Sequence, residues 1–243
     1  FGYNPADVMD ITQSLRETHT AITYNRSDCQ YLSEEHFKEA SKTLAQVVQN
    51  IKFKPSELDP TIHSKCFNDK NITAHFAIIP TNNKVDLNKL TEREKNVYHL
   101  IVNRLLCALD KPYKYTETNY EFWCDDVIYK LKTVKSVELG WKSYDTENDD
   151  SKSSEISYAE GSTFIPKDIH IKECETQPPK HYTDASLLSV MNNIDNRIDN
   201  EGLKVAVKGK GIGTEATRAD VIEQLIEVGY VKRNKKNIIA TSV

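Results

Sequence analysis

No two cysteines in this chain stand in a CxxC spacing. The five present, Cys29, Cys66, Cys107, Cys124 and Cys174, are odd in number and widely spread. That pattern argues against a zinc ribbon or a thioredoxin-type redox site. It fits reduced thiols, and so a cytoplasmic protein. Long apolar runs are missing as well: none approaches the roughly 18 residues that a membrane-spanning helix needs. No signal peptide opens the chain. An initiating Met is also absent, and Phe1 leads straight into Gly2-Tyr3-Asn4-Pro5, so the chain reads as a piece of something longer.

A strong charge of one sign is lacking too, the formal net charge being −4. Its distribution says more than its sum. From Lys204 to Val243 there are eight Lys or Arg against four Asp or Glu, which leaves −8 on the rest. A basic C-terminal segment therefore follows an acidic remainder. With 38% hydrophobic and 28% charged residues, the balance is globular rather than disordered. The 243 residues suffice for one large domain or two to three small ones.

The spacing of apolar and capping residues predicts a mixed chain. Asn4, Pro5 and Asp7 open a helix carrying Val8, Ile11 and Leu15. Ala21 to Tyr24 reads as a short strand running into the polar loop Asn25-Arg26-Ser27-Asp28. Ser33 caps a second helix with Phe37, Ala40, Leu44, Val47 and Val48 on its stripe. Residues 73–81 read as a buried strand or loop stopped by Pro80. Thr91 and Glu94 form a capping box for a long helix, which ends before Pro112.

Strand formers then dominate 113–142, and an acidic loop is expected over 145–155. Further strands are expected near 156–158, 163–165 and 169–174. Gln177-Pro178-Pro179 reads as a linker. Thr183 caps another helix, and the Gly-rich stretch 209–213 leads into a last one, capped at Thr214 or Thr217 and closed by Gly229. A basic hairpin over 230–239 completes a winged-helix-like element.

Within Thr23 to Asp28 lie a phenol, a guanidinium, a hydroxyl and a carboxylate. A phenol is a weak nucleophile until something stabilises its anion, and a nearby cation can do so while also gripping a phosphate. Asp28 could orient Arg26. Read locally, the segment is more simply an ordinary strand-to-turn passage, since Tyr24 is one of twelve tyrosines.

Longer stretches carry a family resemblance. ITYNRSDCQYLS at 22–33 resembles the active-site tyrosine signature of type IA DNA topoisomerases. DITQSL before it is similar to the helix leading to that tyrosine, and AHFAIIPT after it to the family's AHHAIIPT block. LTEREKNVYHLIVNRLL, ELGWKSY, EGSTF, TQPPKHYTDASLLSVM and GIGTEATRADVIEQLIEVGYVKR then follow in the family's order. GTEATR and AIIPT point to the topoisomerase III branch. Three positions depart from the pattern. Asn25 stands where the branch has Pro, Phe76 replaces a second His, and His181 replaces an Arg. A less rigid loop is expected at Asn25.

The resemblance implies that Tyr24 attacks a DNA phosphodiester, giving a 5′-phosphotyrosine and a free 3′-hydroxyl without ATP. It implies catalytic support from Arg26 and His75, with Asp28 at the matching acidic position. It implies single-stranded DNA contacts at Lys208, Lys210, Thr217 and Arg218. It also implies Mg²⁺ for the full enzyme, held by a Toprim domain that nothing in these residues resembles, and no metal ligand in this fragment. The Toprim domain and the remaining arch domains of the same polypeptide are then the partners, and the fragment alone is expected to be inactive.

The expected fold is α+β and multidomain, part of a toroidal arch. Residues 1–111 form a helical tyrosine-bearing domain, 112–180 a partial antiparallel β hinge, and 181–243 winged-helix-like helices that bind DNA. The competing readings are a non-catalytic winged-helix DNA-binding module and a cleavage-deficient relative.

Overall fold

The computed structural model describes residues 1–52, 58, 59, 61–72, 74–144, 157–165, 168 and 170–242. The chain divides into two compact units. One comprises 1–54, 65–102 and 178–243; the other comprises 55–64 and 103–177. Most of the first expected segment thus shares a unit with the third, while its residues 55–64 and 103–111 fall in the other.

In the larger unit, α1 (Pro5–Glu17) begins as its sequence dictates. Asn4 accepts a hydrogen bond from the Asp7 amide at 2.7 Å, and Pro5 occupies the first turn, where a missing N–H costs nothing. The helix buries Ile11, Thr12 and Leu15. Next, α2 (Glu34–Ile51) starts on a capping box in which Ser33 and His36 bond each other's backbone amides. Its buried face includes Ala40, Leu44 and Val47, but also Asn50. Asn50 Nδ2 donates to Tyr98 Oη at 3.2 Å and to the Asn83 carbonyl at 3.0 Å, and its Oδ1 accepts from the Val85 amide. Satisfied in this way, a buried amide carries little penalty.

The third helix, α3 (Glu92–Leu109), runs from the larger unit into the smaller. Its start is fixed by Glu94, whose carboxylate accepts from the Thr91 amide at 2.7 Å and the Thr91 hydroxyl at 2.8 Å. Val97, Tyr98 and Val102 are buried.

The C-terminal part of the larger unit holds α4 (Asp184–Asn192), α5 (Glu201–Val207) and α6 (Arg218–Glu227). Thr183 and Ser186 form the capping box of α4. The short α5 was not foreseen. Strands β4 (Val231–Asn234) and β5 (Asn237–Ala240) form the expected hairpin, and β3 (Tyr182–Thr183) adds to the outer edge of β5. Met191, Ile222 and Ile238 centre a small core there, with Leu187, Leu188 and Val221 around them. Helix α6 ends at Gly229, φ +85°, with Gly229 N–H to Ile226 and Tyr230 N–H to Leu225, the paired bonds that satisfy a helix's last carbonyls. Its start differs from expectation: Thr217 gives no side-chain cap, because its Oγ1 accepts from the Thr214 amide at 3.0 Å.

In the smaller unit, β1 (Lys114–Cys124) and β2 (Val127–Glu138) make one long antiparallel hairpin. Asp125, at φ +49°, turns the chain, a conformation that Asp tolerates better than most side chains. Cross-strand pairs Glu117–Lys132 at 2.6 Å and Glu121–Lys130 at 3.0 Å line one face.

The further strands expected beyond residue 156 do not form among the described residues. Tyr158 instead sets its ring edge-on against Tyr120 at 5.3 Å and Phe122 at 5.2 Å, Phe164 meets Phe122 at 5.8 Å, and the two meet each other at 4.8 Å between centroids. Ring packing, rather than a ladder of backbone bonds, accounts for their apolar character. The expected acidic loop at 145–155, with Ile156 and Ile169 of the expected strands, lies outside the described residues. Likewise, the expected strand at 21–24 reduces to an isolated bridge between Ile22 and Pro80.

Candidate active site

The segment that carries Tyr24 is held from two sides. After α1 the chain turns sharply at Thr20, φ +47°, and the Ala21 amide bonds the Leu15 carbonyl at 2.8 Å. Thr23 then ties itself to the 74–81 segment. Its amide donates to the Ile79 carbonyl at 2.9 Å, and its hydroxyl accepts from the Ile79 amide at 3.0 Å. Thr81 completes the clamp by bonding the Ala21 carbonyl at 3.0 Å. This pairing carries His75 to Tyr24, with ring centroids 4.3 Å apart and planes tilted by 41°.

The last turns of α1 read out the tyrosine loop residue by residue. Arg16 lays its guanidinium over the Tyr24 ring, 4.6 Å from the centroid. Thr12 Oγ1 accepts from Asn25 Nδ2 at 3.1 Å, in a buried contact. Gln13 Oε1 accepts from Arg26 Nη2 at 3.4 Å. Residues 12, 13 and 16 share one face of a helix, so one rigid element meets three consecutive loop residues.

Gln13, and not Asp28, therefore holds Arg26. Asp28 is exposed and makes no ion pair with Arg26 among the described residues. Nor is the loop loosened by the missing proline, because the Asn25 side chain anchors it in the core. Phe76, the second departure, packs its ring on His36 at 4.3 Å. Arg16, Gln13 and Thr12 were not among the expected site residues; their i, i+1, i+4 spacing on α1 was the available signal.

Behind this face, Glu94 is buried and bridges α1 to the start of α3. Its Oε1 accepts from the Ser14 hydroxyl at 2.5 Å and lies 3.4 Å from His19 Nε2. Burial pushes its carboxyl up, but the bonds from Ser14 and Thr91 and the nearby His19 outweigh this and hold it below the usual glutamate range.

The second set of candidate residues lies on the Gly-rich loop. Gly209, Gly211 and Gly213 all adopt φ between +66° and +73°. Gly211 has no room for a side chain: a Cβ there would stand 2.8 Å from Arg218 Nη2 and 2.9 Å from the Met191 carbonyl. Arg218 is buried and binds the loop itself. Its Nε donates to the Ile212 carbonyl at 3.0 Å, Nη2 to the Gly213 carbonyl at 3.1 Å, and Nη1 to Glu215 at 3.0 Å. Lys208, Lys210 and Thr217 are exposed. No hydrogen bond, ion pair or ring contact joins this loop to Tyr24, Arg26 or His75 among the described residues. A mainly apolar groove of about 550 Å³ lies between the start of α1, at Tyr3, Val8 and Met9, and the C-terminal helices, at Leu188, Asn192 and Arg218.

The whole chain, residues 1–243, matches the model of a family described as DNA topoisomerase. The chain belongs to that family. Among its relatives, DNA topoisomerase 3 of Pasteurella multocida is 36% identical over 99% of this chain and 38% of its own length. DNA topoisomerase 3 of Haemophilus influenzae is 35% identical over the same shares. The chain thus spans about two fifths of the length of these topoisomerases. Full-length topoisomerase I from Thermotoga maritima shares the fold, with a TM-score of 0.70 at 23% identity, over 99% of this chain and 37% of that one.

For a topoisomerase-family chain, a tyrosine flanked by two arginines and a histidine is a chemically coherent site. Among the described residues, no three His, Cys, Asp or Glu converge to hold a metal ion, and no helix is long and apolar enough to cross a membrane.

Proposed function

We propose that this chain is the tyrosine-bearing part of a type IA, topoisomerase III-like enzyme that cuts and rejoins single-stranded DNA. The observation that supports it best is the meeting of Tyr24 with Arg16 and His75, beside Arg26, in a family of DNA topoisomerases. In this reading Tyr24 Oη forms a bond to phosphorus while the P–O3′ bond breaks. The phenol proton leaves, and the departing 3′ oxygen takes up a proton. The products are a 5′-phosphotyrosine and a 3′-hydroxyl. Because the ester conserves the bond, its reversal needs no ATP.

Arg26 is exposed and, among the described residues, anchored by its bond to Gln13, which leaves its other donors for a phosphate at Tyr24. It stabilises the charge that grows on the phosphoryl oxygens. His75 supports the phenol ring and offers a further hydrogen bond to phosphate, and Asp28 adds a nearby acceptor. Lys208, Lys210 and Thr217 contact the strand on the Gly-rich loop, which Arg218 shapes from beneath. Mg²⁺, where the full enzyme uses it, is held by a Toprim domain outside these residues, and no step above is routed through it. The β1/β2 unit serves as part of the hinge of the arch. The 243 residues alone then bind single strands but do not relax supercoiled DNA.

The decisive experiment is Tyr24→Phe in the full natural polypeptide. Incubation with an end-labelled single-stranded oligonucleotide, followed by denaturing electrophoresis, is expected to show no covalent adduct, with non-covalent affinity within about twofold of the parent. An adduct that persists would place the nucleophile elsewhere.

A further inference from the structure

We infer that Arg16 is a second catalytic arginine of this site, acting on the Tyr24 phenol itself; the inference rests on Tyr24 being the nucleophile. Arg26 reaches into solvent toward an incoming phosphate. Arg16 lies against the ring, with its guanidinium carbon 4.6 Å from the centroid. That is within the range where a cation interacts with an aromatic face. A phenolate spreads part of its charge into the ring, so a cation held there stabilises the anion more than the neutral phenol.

Arg16 is positioned with little freedom. It sits in the last turn of α1, where a cation suits the helix dipole. The turn it occupies is fixed by Leu15, which is fully buried, by the Ser14–Glu94 bond at 2.5 Å, and by the Thr12–Asn25 bond at 3.1 Å. Arg16 is itself half-buried, which lowers the solvent screening of its charge. Among the described residues, the other titratable groups beside Tyr24 include Arg26 and Asp28 on its own loop and His75 on the 74–81 segment.

The chemistry gives this placement a specific consequence. In cleavage the tyrosine oxygen attacks phosphorus and sheds its proton. In rejoining, the 3′-hydroxyl attacks the same phosphorus and gives up its proton, while the tyrosine oxygen leaves with the bonding electrons and then takes up a proton. Both directions pass through a transition state with negative charge on that oxygen. Neither end state carries it, since one is a neutral phenol and the other an aryl phosphate ester. Arg16 therefore accelerates both directions by the same factor and leaves the cleavage equilibrium unchanged.

The test compares Arg16→Met, which keeps length and loses charge, with Arg16→Lys, which keeps charge, in the full natural polypeptide. The rates of covalent capture and of rejoining are measured on a single-stranded oligonucleotide, alongside oligonucleotide affinity and thermal unfolding. Arg16→Met is expected to slow both rates by about tenfold. Their ratio, the affinity and the unfolding midpoint should stay the same, and Arg16→Lys should recover part of the loss. Arg16→Gln substitutes if the Met variant unfolds early. Unchanged rates in Arg16→Met, with Tyr24→Phe inactive, would overturn the role of Arg16 while leaving Tyr24 in place. Equal losses in the Met and Lys variants would reduce Arg16 to a spacer. Capture that survives Tyr24→Phe would overturn both assignments.

Discussion

Asn25 donates a hydrogen bond from Nδ2 to the hydroxyl of Thr12 at 3.1 Å, and both side chains are buried. The same hydroxyl donates to the Met9 carbonyl at 3.0 Å, so Thr12 relays the loop's anchor into the backbone of α1. A proline would stiffen this position by fixing φ. Asn25 stiffens it by tethering, which also sets how far Tyr24 stands from Arg16.

Asn25→Ala should therefore do two things. It removes a buried hydrogen bond and leaves the Thr12 hydroxyl, still bonded to the Met9 carbonyl, without its donor, at a cost of about 1 to 2 kcal/mol. For a chain of this size that lowers the unfolding midpoint by roughly 3 to 6 °C. Covalent capture should fall by more than the lost stability explains, because the tyrosine loop loses its register on α1. Thermal denaturation and single-turnover capture, measured on the same variant, separate the two effects.

Glu94 makes a pH-dependent contribution. Its carboxyl titrates below the ordinary glutamate value of 4.5 because the bonds from Ser14 and Thr91, with His19 near, outweigh burial. A depressed folded-state value means that the native state favours the ionised form. The stabilisation is complete above about pH 4.5 and is lost as pH falls through the lower folded-state value. Glu94→Gln should weaken the protein at pH 7 by about 1 to 3 kcal/mol and flatten the acid side of its stability curve. Urea midpoints measured from pH 3 to 7 check both. A parallel shift of the whole curve would assign the acid sensitivity to another group.

The elements set by local chemistry were legible in the sequence. Asn4-Pro5, Ser33, Thr91 with Glu94, and Thr183 each start a helix, and Gly229 ends one, where their side chains or backbone freedom require. Tyr24 and His75 were legible through their motifs, and the structure brings their rings together. Much of the rest was set by long-range packing. Tyr158 and Phe164 look like strand residues, yet they serve as ring contacts on the hairpin. Asn25 looks like a weakened proline until Thr12, 13 positions earlier, is seen beneath it. Arg218 looks like a free cation on a Gly-rich loop, but its donors turn inward to that loop's own carbonyls. For the rings on the hairpin and for Asn25 the partner lies far along the chain; for Arg218 it lies only three to six residues earlier, but mostly on backbone carbonyls that side-chain identity does not mark.

Gly211 and Arg218 should behave as one unit. Gly211→Ala drives a methyl group into the Met191 carbonyl and the Arg218 guanidinium, at a φ of +66° that alanine resists. Arg218→Ala strips the loop of its three side-chain bonds. Each variant should lose about 1 to 3 kcal/mol of stability. The double variant should lose clearly less than the sum, since either change alone releases the same loop. A double-mutant cycle on urea denaturation checks the coupling; simple additivity would mean that the two residues act independently.

The same geometry separates two kinds of proposed DNA contact. Lys208 and Lys210 are exposed on the loop, whereas the guanidinium of Arg218 is engaged beneath it. If the lysines neutralise phosphates, removing one releases a counterion fewer, and the slope of log affinity against log salt should flatten by roughly 0.7 for each contact on a single strand. Lys208→Ala with Lys210→Ala should thus weaken oligonucleotide binding most at low salt and flatten the slope by up to about 1.4. Arg218→Ala should weaken binding through the misshapen loop while leaving the slope nearly unchanged. Fluorescence anisotropy titrations across a salt series distinguish them. A slope that flattens for Arg218→Ala, and holds for the lysine pair, would reverse the roles and make the buried arginine the phosphate ligand.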